Sequence, residues 1–232
     1  MHSPTETQLV TTLLQYAATP QYLRRKLFPL NPTLQYAGII PPLRTPNHQL
    51  NSKIEDLPPE SYREGIILSV SNQECSVDVG LPKPLNIRKQ DAKPGERIVL
   101  RVTKTNAIHA QAVPDSQIPQ YFGLRTSTQT ESLKQSLEGD YDLRIATSRL
   151  GTPVNQLSEQ LSKGMTNSKK ALILFGPPSE GLNQIATREG FNLDEKVNFT
   201  LNTVPDQGTA TVRTEEALSA TLALLNYFSH LP

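Results

Sequence analysis

A polar loop with a glycine leads directly into an amphipathic helix near the end of the chain, and its residue types suit the binding of a small molecule. The loop spans residues 204–211 and the predicted helix spans residues 212–228. Gly208 and the small threonines allow a ligand to approach backbone N–H and C=O groups closely. Glu215 and Glu216 lie in the first turn of this helix. For Glu216, helix capping is a simpler interpretation than catalysis.

A second loop, Gly176-Pro-Pro-Ser-Glu-Gly-Leu182, follows the apolar run 171–175, which is typical of a buried parallel strand. Loops at the carboxyl ends of such strands are where open α/β sheets bind ligands. The loop lacks the Gly-Lys-Ser/Thr ending of a P-loop, and the chain has no Gly-x-Gly-x-x-Gly fingerprint. A nucleoside triphosphate is therefore not expected, and by itself this loop is equally compatible with a structural turn.

A third loop places a single arginine between prolines, in Pro41-Pro-Leu-Arg-Thr-Pro-Asn-His48. Prolines fix φ and stiffen the loop, so Arg44 is well placed to bind a phosphate bidentately. The alternative is a surface arginine that bonds to local carbonyl groups. His48 could contact RNA or make a hydrogen bond within the loop, and both interpretations stay open.

Basic residues occur in two further places. Arg24, Arg25 and Lys26 lie together on a short predicted helix, where they could bind phosphates or simply form a solvated face. Arg97 and Arg101 alternate with apolar residues on a predicted strand, so one face of that sheet could be basic. Small β-barrels commonly present such a face to single-stranded nucleic acid.

The elements that must position these residues fall into two patterns. Between about residues 57 and 114, five short strands at spacings typical of a small barrel are predicted at 64–70, 75–79, 85–87, 96–102 and 108–113. Cys75 alternates with Val77 and Val79, which predicts a core residue of the barrel. Proline pairs on both sides of this block indicate an inserted all-β domain.

Outside the barrel, strands alternate with helices, which predicts βαβ units and a parallel sheet covered on both faces. Strands are predicted at 36–40, 121–125, 143–147, 171–175 and 197–202, and helices at 5–17, 21–28, 154–165, 181–189 and 212–228. The fold class is therefore α/β, interrupted by a β-barrel. The predicted domains are 1–57 and 116–232 for the two parts of the α/β domain, and 58–115 for the barrel.

Composition excludes several classes of protein. The net charge of +1 gives no overall field for nucleic acid, so any basic surface must be local. A single cysteine excludes intramolecular disulfides and Cys-rich zinc sites, and the four histidines have no ligand spacing. No apolar run reaches the length of a membrane span, and the first residues do not resemble a signal peptide. We therefore expect a cytoplasmic protein with no membrane partner.

Four motifs taken together resemble one family. They are Tyr36-Ala-Gly with Pro-Pro-Leu-Arg-Thr-Pro, Ile145-Ala-Thr-Ser, Phe175-Gly-Pro-Pro-Ser-Glu-Gly-Leu, and Pro205-x-Gln-Gly-Thr-x-Thr-Val-Arg-Thr-Glu-Glu-Ala-Leu. Their order and the position of the barrel resemble the archaeal and eukaryotic branch of the SPOUT (SpoU–TrmD) RNA methyltransferases. The resemblance implies a trefoil-knotted parallel sheet with helices on both faces, an inserted OB-like barrel and a homodimer.

The resemblance also implies the cofactor and its site. S-adenosylmethionine would lie between two walls, formed by Gly176, Pro177, Gly181, Leu182, Thr203, Val204, Pro205, Gly208, Thr211 and Val212. Arg213 and Glu215 would face the methyl group and the acceptor, and Arg44 is the first candidate for activating the acceptor, ahead of Arg213. The methyl group would pass by direct displacement to an RNA oxygen or nitrogen, without a metal.

Members of this family usually begin with a further strand and helix before the segment that starts here near Thr5. The resemblance therefore implies that this unit is missing, which would affect dimerisation and activity more than the knot. The expected function is methylation of RNA, with ribosomal RNA as the substrate class. Two alternatives stay open, namely a non-catalytic RNA-binding or ribosome-assembly protein and an α/β protein that binds another nucleotide-like ligand.

Overall fold

The computed structural model describes residues 4–41, 43–50, 53–104, 107–127, 131–177 and 179–230, with side chains from Glu6 onward. Pro42 and Pro178, which belong to two of the candidate loops, lie outside the described residues. The chain divides into two compact units, Met1–Gln129 and Thr130–Pro232. The grouping of residues 1–57 with residues 116–232 in one α/β domain stays a prediction.

The first unit contains a five-stranded antiparallel sheet that is nearly closed into a barrel. The order of strands is β3-β2-β1-β4-β5, and the two outer strands, β3 and β5, contact each other. All five strands predicted in this region are confirmed, with bounds β1 Glu60–Ser71, β2 Glu74–Asp78, β3 Leu85–Arg88, β4 Arg97–Lys104 and β5 Ile108–Val113.

The barrel interior is filled by alternate residues of each strand. Val77, Leu100 and Val102 are almost fully buried and pack together with Ile67. Cys75 lies in the same cluster, which confirms its prediction as a core residue. Gly65 is required at the centre of β1, because a Cβ atom there would lie 2.7 Å from a methyl group of Val77. The alternation seen in the sequence therefore corresponds to one inward face.

Two helices precede the barrel, α1 (Pro4–Ala18) and α2 (Gln21–Leu27). Helix α2 contacts the barrel through Tyr22, whose hydroxyl donates a hydrogen bond of 2.8 Å to the carbonyl of Glu64. The ring of Tyr22 also lies under the guanidinium of Arg63, 5.1 Å from the ring centroid. Both helices were predicted, and α2 is fixed to the barrel by these contacts.

Two predicted strands are wrong. The apolar run 36–40 forms a 3-10 turn, Ala37–Ile39, and Tyr36 and Ile39 are 70% and 80% exposed. In the described part of the chain no strand pairs with this run, and Pro41 follows it directly, so the run does not join a sheet. The run 121–125 is irregular because Gly123 takes a φ of +86°, which an extended strand does not allow.

The second unit is a parallel sheet with helices on both faces. Its strands are β6 (Leu143–Pro153), β7 (Ala171–Leu174) and β8 (Phe199–Asn202), in the order β7-β6-β8. Apolar side chains on one face pack against α4 (Ser158–Asn167) and α6 (Thr214–Phe228). Those on the other face pack against α3 (Leu133–Leu137) and α5 (Leu182–Arg188).

The predictions for this unit are confirmed in most elements. Strand β7 is parallel as expected, but it forms an edge of the sheet and its side chains are exposed or half-buried. The expectation of a fully buried strand is therefore wrong, because an apolar run does not reveal whether a strand has one neighbour or two. In the described part of the chain, no helix is both long enough and apolar enough to cross a bilayer.

Candidate functional site

A cleft of about 840 Å³ opens at the carboxyl ends of the three parallel strands. Its walls come from residues 147–152 within β6, from residues 176–177 and 179–184 after β7, and from residues between 200 and 214 at the end of β8 and beyond it, with Asp194, Val197 and Asn198 beside them. This volume lies within the roughly 300–1,000 Å³ typical of sites for small molecules and cofactors. The position is the one at which open α/β sheets bind ligands.

The first wall is a detour in the central strand. Thr147 and Thr152 both pair with Leu201 of β8, so residues 148–151 leave the ladder and return to the same position on the neighbouring strand. A Cβ atom on Gly151 would lie 2.6 Å from the carbonyl oxygen of Thr200. Glycine is therefore needed where the detour presses against β8, and the wall is held in place by that contact.

The second wall is the loop between β7 and α5. Gly181 precedes the helix, and its amide donates a hydrogen bond of 2.9 Å to the side chain of Gln184, which forms half of a capping box. Leu182 is buried against the sheet and anchors the loop. The carboxylate of Glu180 pairs with Arg188 at 2.5 Å, which fixes the outer end of this wall.

The third wall is the loop between β8 and α6. The hydroxyls of Thr203 and Thr221 lie 2.8 Å apart and are buried, which fixes the loop to the helix behind it. The Asn202 side chain accepts a hydrogen bond of 3.1 Å from the amide of Val204. The side chain of Glu216 accepts a hydrogen bond of 3.1 Å from the amide of Arg213, which confirms that Glu216 caps the helix.

The first and third walls are joined by Arg149. Its guanidinium donates a hydrogen bond of 2.8 Å to the carbonyl of Ala210, and its own carbonyl accepts one of 2.9 Å from the side chain of Asn202. These two contacts connect the detour of β6 with both ends of the last loop. The cleft is thus built on a sheet and on loops with internal hydrogen bonds, which gives a preformed site.

The residues predicted to bind a cofactor converge on this cleft. Eight of them line it, namely Gly176, Pro177, Gly181, Leu182, Thr203, Val204, Thr211 and Val212. Pro205 and Gly208 belong to the third wall but are not among the lining residues. The left-handed backbone position of that loop is Asp206, with a φ of +56°, whereas Gly208 faces open space.

The predicted catalytic residues are placed differently. Arg213 and Glu215 are exposed at the beginning of α6, next to the lining residues Val212 and Thr214. Arg44 is exposed on its loop in the first unit. Their roles stay predictions.

The predicted RNA-binding residues differ in the contacts that their side chains make within the protein. Arg24 donates to the carbonyl of Thr19 and lies over the ring of Tyr16, whereas Arg25 is exposed. Three others form ion pairs, namely Lys26 with Asp78, Arg97 with Glu64 and Arg101 with Glu60. A basic sheet face at Arg97 and Arg101 is thus largely neutralised by carboxylates, and the binding of RNA by these residues stays a prediction.

The side chain of His48 makes a hydrogen bond to helix α1 and not within its own loop, where one of its two interpretations had placed it. Its Nε2 lies 3.1 Å from the carbonyl of Ala18. Burial lowers the pKa of His48, and the hydrogen bond to Ala18 opposes that effect. Burial thus favours a neutral ring, and a neutral imidazole with its proton on Nε2 can donate this bond.

Sequence reasoning missed the first wall. Residues 147–152 all line the cleft, yet none was proposed as a site residue. The available signal was the change from apolar to polar residues in Ile145-Ala-Thr-Ser, which places polar groups at the end of a strand. Elsewhere in the described residues, no group of three or more His, Cys, Asp or Glu side chains could hold a metal ion.

Fold and site together define an α/β protein with a cleft of the size of a small-molecule site, lined mostly by glycine, small apolar and uncharged polar residues, and with a nearly closed β-barrel. Residues 2–225 match the family described as "Putative RNA methyltransferase". The chain belongs to this family.

Relatives from archaea and animals share this sequence over most of the chain. An uncharacterised protein of Halobacterium salinarum is 32% identical over 93% of this chain and 79% of its own length. Another, from Haloarcula marismortui, is 34% identical over 95% and 80% respectively. A human protein named 28S rRNA (uridine-N(3))-methyltransferase is 31% identical over 92% of this chain, which spans 58% of that protein.

Proposed function

We propose that the protein is an S-adenosylmethionine-dependent RNA methyltransferase that acts on ribosomal RNA. The single observation that carries the proposal is the cleft at the carboxyl ends of β6, β7 and β8, where eight of the residues expected to bind the cofactor come together. Membership of an RNA methyltransferase family supports the reaction type. The proposal includes a SPOUT-type trefoil knot in the parallel sheet and an OB-like barrel that binds RNA.

The residues of the cleft fit this cofactor. The lining is mostly glycine, threonine, asparagine and small apolar side chains, which suit an adenine edge, a ribose and an amino-acid tail. A Cβ atom on Gly176 would lie 3.3 Å from the carbonyl of Glu180 and 3.4 Å from the amide of Leu182. The absence of a side chain at Gly176 thus leaves these backbone groups accessible to a flat ligand.

When bound, S-adenosylmethionine supplies a methyl group on a positively charged sulfur. Methyl transfer forms a bond between that carbon and an RNA atom, breaks the bond to sulfur and releases a proton if the acceptor carried one. The chain's residues must therefore orient the acceptor in line with the sulfur and exclude water. Arg44 is the first candidate for activating the acceptor and Arg213 the second, with Glu215 beside it.

The acceptor proposed here is N3 of a uridine, because relatives from human, fly and mouse carry the name 28S rRNA (uridine-N(3))-methyltransferase. The N3 atom of uridine bears a proton and is engaged in base pairs. The target must therefore be unpaired or extruded from its helix before it can react. Arg24, Arg25, Lys26, His48, Arg97 and Arg101 are the proposed contacts of the first unit with RNA.

Two further parts of the proposal concern the whole protein. We propose a homodimer from the family resemblance and a cytoplasmic location from the composition. The alternative is a protein that keeps the fold and binds RNA without turnover, and a methylation assay separates it from the enzyme.

Calorimetric titration with S-adenosylmethionine tests the proposed cofactor. We expect saturable binding by the wild-type protein and at least a tenfold loss in Ala210→Trp, because Ala210 lines the cleft and an indole there would fill it. Gln160→Trp, on the exposed face of α4, is the matched control and should bind normally. Absence of binding by folded wild-type protein would refute the proposal.

Methyl transfer to in vitro transcribed large-subunit ribosomal RNA then tests the activity. We expect a product whose methyl group is on N3 of uridine, identified by mass spectrometry of nucleosides. Arg44→Ala should bind the cofactor as the wild type does but transfer the methyl group at least tenfold more slowly. If the wild type binds the cofactor and RNA without transfer, the non-catalytic alternative is correct.

A further inference from the structure

One charged side chain of the cleft is not among the residues expected to bind the cofactor or to act in catalysis. Among the described residues that line the cleft, Arg149 is the one cation, beside the carboxylates of Glu180 and Asp194. Glu180 is paired with Arg188, and Asp194 accepts a hydrogen bond of 2.7 Å from the hydroxyl of Thr200. Arg149 forms no ion pair with any carboxylate in the described part of the chain.

The position of Arg149 is fixed by the backbone around it. It lies on the detour of β6 that Gly151 presses against β8, and Asn202 holds its carbonyl group. Its hydrogen bond from Nη1 to the carbonyl of Ala210 uses one of the five N–H donors of the guanidinium. The side chain is exposed, so the other donors can meet a ligand from solvent.

The neighbouring residue points to a large ligand. Leu150 is 89% exposed at the rim of the same cleft. A short detour that is held rigidly and presents an arginine beside an exposed leucine offers one anion-binding group and one apolar contact. A nucleotide within an RNA strand has the matching pair, since its phosphate is anionic and its base has an apolar face.

We propose that Arg149 binds a backbone phosphate at the target nucleotide and that Leu150 packs against a base next to it. This inference rests on the proposed function, because it names the part of the RNA that enters the cleft. Arg149 and Leu150 thereby orient the target while the other lining residues hold the cofactor. The carboxylate of the cofactor's amino-acid tail is the competing ligand for the guanidinium. The RNA is favoured because the side chain is exposed at the rim next to Leu150.

The salt dependence of RNA binding distinguishes a phosphate contact from a structural role. Each phosphate contact adds about one to the slope of log K against log salt. We would measure binding of fluorescein-labelled, in vitro transcribed large-subunit ribosomal RNA by anisotropy at about 50–200 mM potassium chloride. Arg149→Ala should weaken binding roughly tenfold and lower the slope by about one. Arg149→Lys should keep the slope.

One further variant controls for charge in general. Lys163→Ala removes an exposed cation of α4 that pairs with Glu159, and RNA binding should stay within about twofold of the wild type. Calorimetry of Arg149→Ala with S-adenosylmethionine should show a smaller loss of affinity than the loss of RNA affinity, because for the cofactor the variant removes only the bond to Ala210 that joins two walls of the cleft.

The outcomes separate this inference from the proposed function. An unchanged slope in Arg149→Ala overturns the inference while cofactor binding by the wild type still supports the function. Loss of cofactor binding in Arg149→Ala with an unchanged slope assigns the guanidinium to the cofactor carboxylate and also overturns it. If the wild type fails to bind the cofactor, the proposed function fails, and the slope still reports whether Arg149 contacts phosphate.

Discussion

Arg63 is the least expected residue of the first unit, because it lies fully buried inside the barrel. It pairs with Leu100 across the β1–β4 ladder, on the inward face of the sheet. Its Nε donates a hydrogen bond of 2.9 Å to the carbonyl of Val79, and Nη1 donates one of 2.8 Å to the side-chain oxygen of Gln49. Nη2 has no partner among the described residues, and burial lowers the pKa of the guanidinium.

Arg63 connects the barrel to segments outside it, since Tyr22 belongs to α2 and Gln49 to the loop after Arg44. Burial of a cation without a carboxylate partner lowers the stability of the folded state. The planar guanidinium of Arg63 offsets part of this loss, because it donates hydrogen bonds to two acceptors and stacks on a ring. The residue therefore holds the loop of Arg44 and helix α2 against the barrel.

The loss of stability on substitution of Arg63 should depend on the charge and shape of the new side chain. Arg63→Met keeps the apolar volume but leaves the Val79 carbonyl unbonded, which should lower the free energy of unfolding by about 1–2 kcal/mol. Arg63→Lys places a strongly hydrated ammonium in the same space, so the loss should exceed about 3 kcal/mol. Urea unfolding followed by tyrosine fluorescence measures both. Arg25→Met, on an exposed position, should change stability by less than about 0.5 kcal/mol.

If the lysine variant is as stable as the methionine variant, solvent reaches this position and the charge is not buried as described.

At the scale of elements, the cleft depends on how β6 and β8 are joined. Strand β6 pairs with β7 and β8 along its first part, and its detour at residues 148–151 forms a wall before the ladder resumes. Helix α6 supports the third wall through the bond between Thr203 and Thr221. Alanine substitutions at two glycines of this unit would show how closely the backbone is packed, because a Cβ atom would lie at very different distances from its neighbours at the two positions.

Gly151→Ala should disturb the first wall, and Gly164→Ala should not. At Gly151 the new methyl group would lie 2.6 Å from the Thr200 carbonyl, so backbone must shift at a cost of roughly 1–3 kcal/mol. At Gly164, in α4, it would meet Leu143 and Phe199 at 3.5 Å, an ordinary contact. Since alanine favours a helix, Gly164→Ala should stabilise the protein by up to about 1 kcal/mol.

Denaturant unfolding gives the two stabilities, and calorimetry with S-adenosylmethionine gives the effect on the cleft. Gly151→Ala should weaken cofactor binding, whereas Gly164→Ala should leave it unchanged. Equal stabilities for the two variants would show that the detour is not pressed against β8.

At the scale of the whole molecule, the two units have separate cores. The barrel cluster contains residues from 54 to 112, and the two clusters of the parallel sheet contain residues from 133 to 228. Among the residues that the structure describes, those that line the cleft all belong to the second unit. A ligand bound there should therefore stabilise the second unit directly.

Hydrogen exchange should report this separation. With S-adenosylmethionine at about 100 times its dissociation constant, globally exchanging amides of β6 and β8 should slow by roughly 100-fold, or about 2.7 kcal/mol. Amides of β1 and β4 should change far less. The same measurement with the cleft variant Ala210→Trp, at the same concentration of S-adenosylmethionine, is the control and should show slowing of no more than roughly tenfold. Equal protection of both sheets would contradict the separate cores and indicate one cooperative unit.

The sequence predicted most elements of this fold but only part of the site. Short strand-like runs at spacings typical of a barrel, with period-two alternation at residues 75–79, located all five barrel strands, and the polar loops with glycine located the second and third walls of the cleft. The strands at 36–40 and 121–125 were wrong because apolar character does not supply a pairing partner. The first wall was missed because a detour within a strand depends on its pairing with β8, which no local pattern records.

The sequence by itself determined the local elements, because alternation, apolar runs and glycine or proline positions act over a few residues. It also placed the two polar loops at the ends of strands. Only the tertiary structure decided that residues 147–152 join those loops in one cleft, that Arg149 bonds to Ala210, and that Arg63 lies inside the barrel. These contacts join residues that are distant in the chain, so they form only when packing brings their elements together.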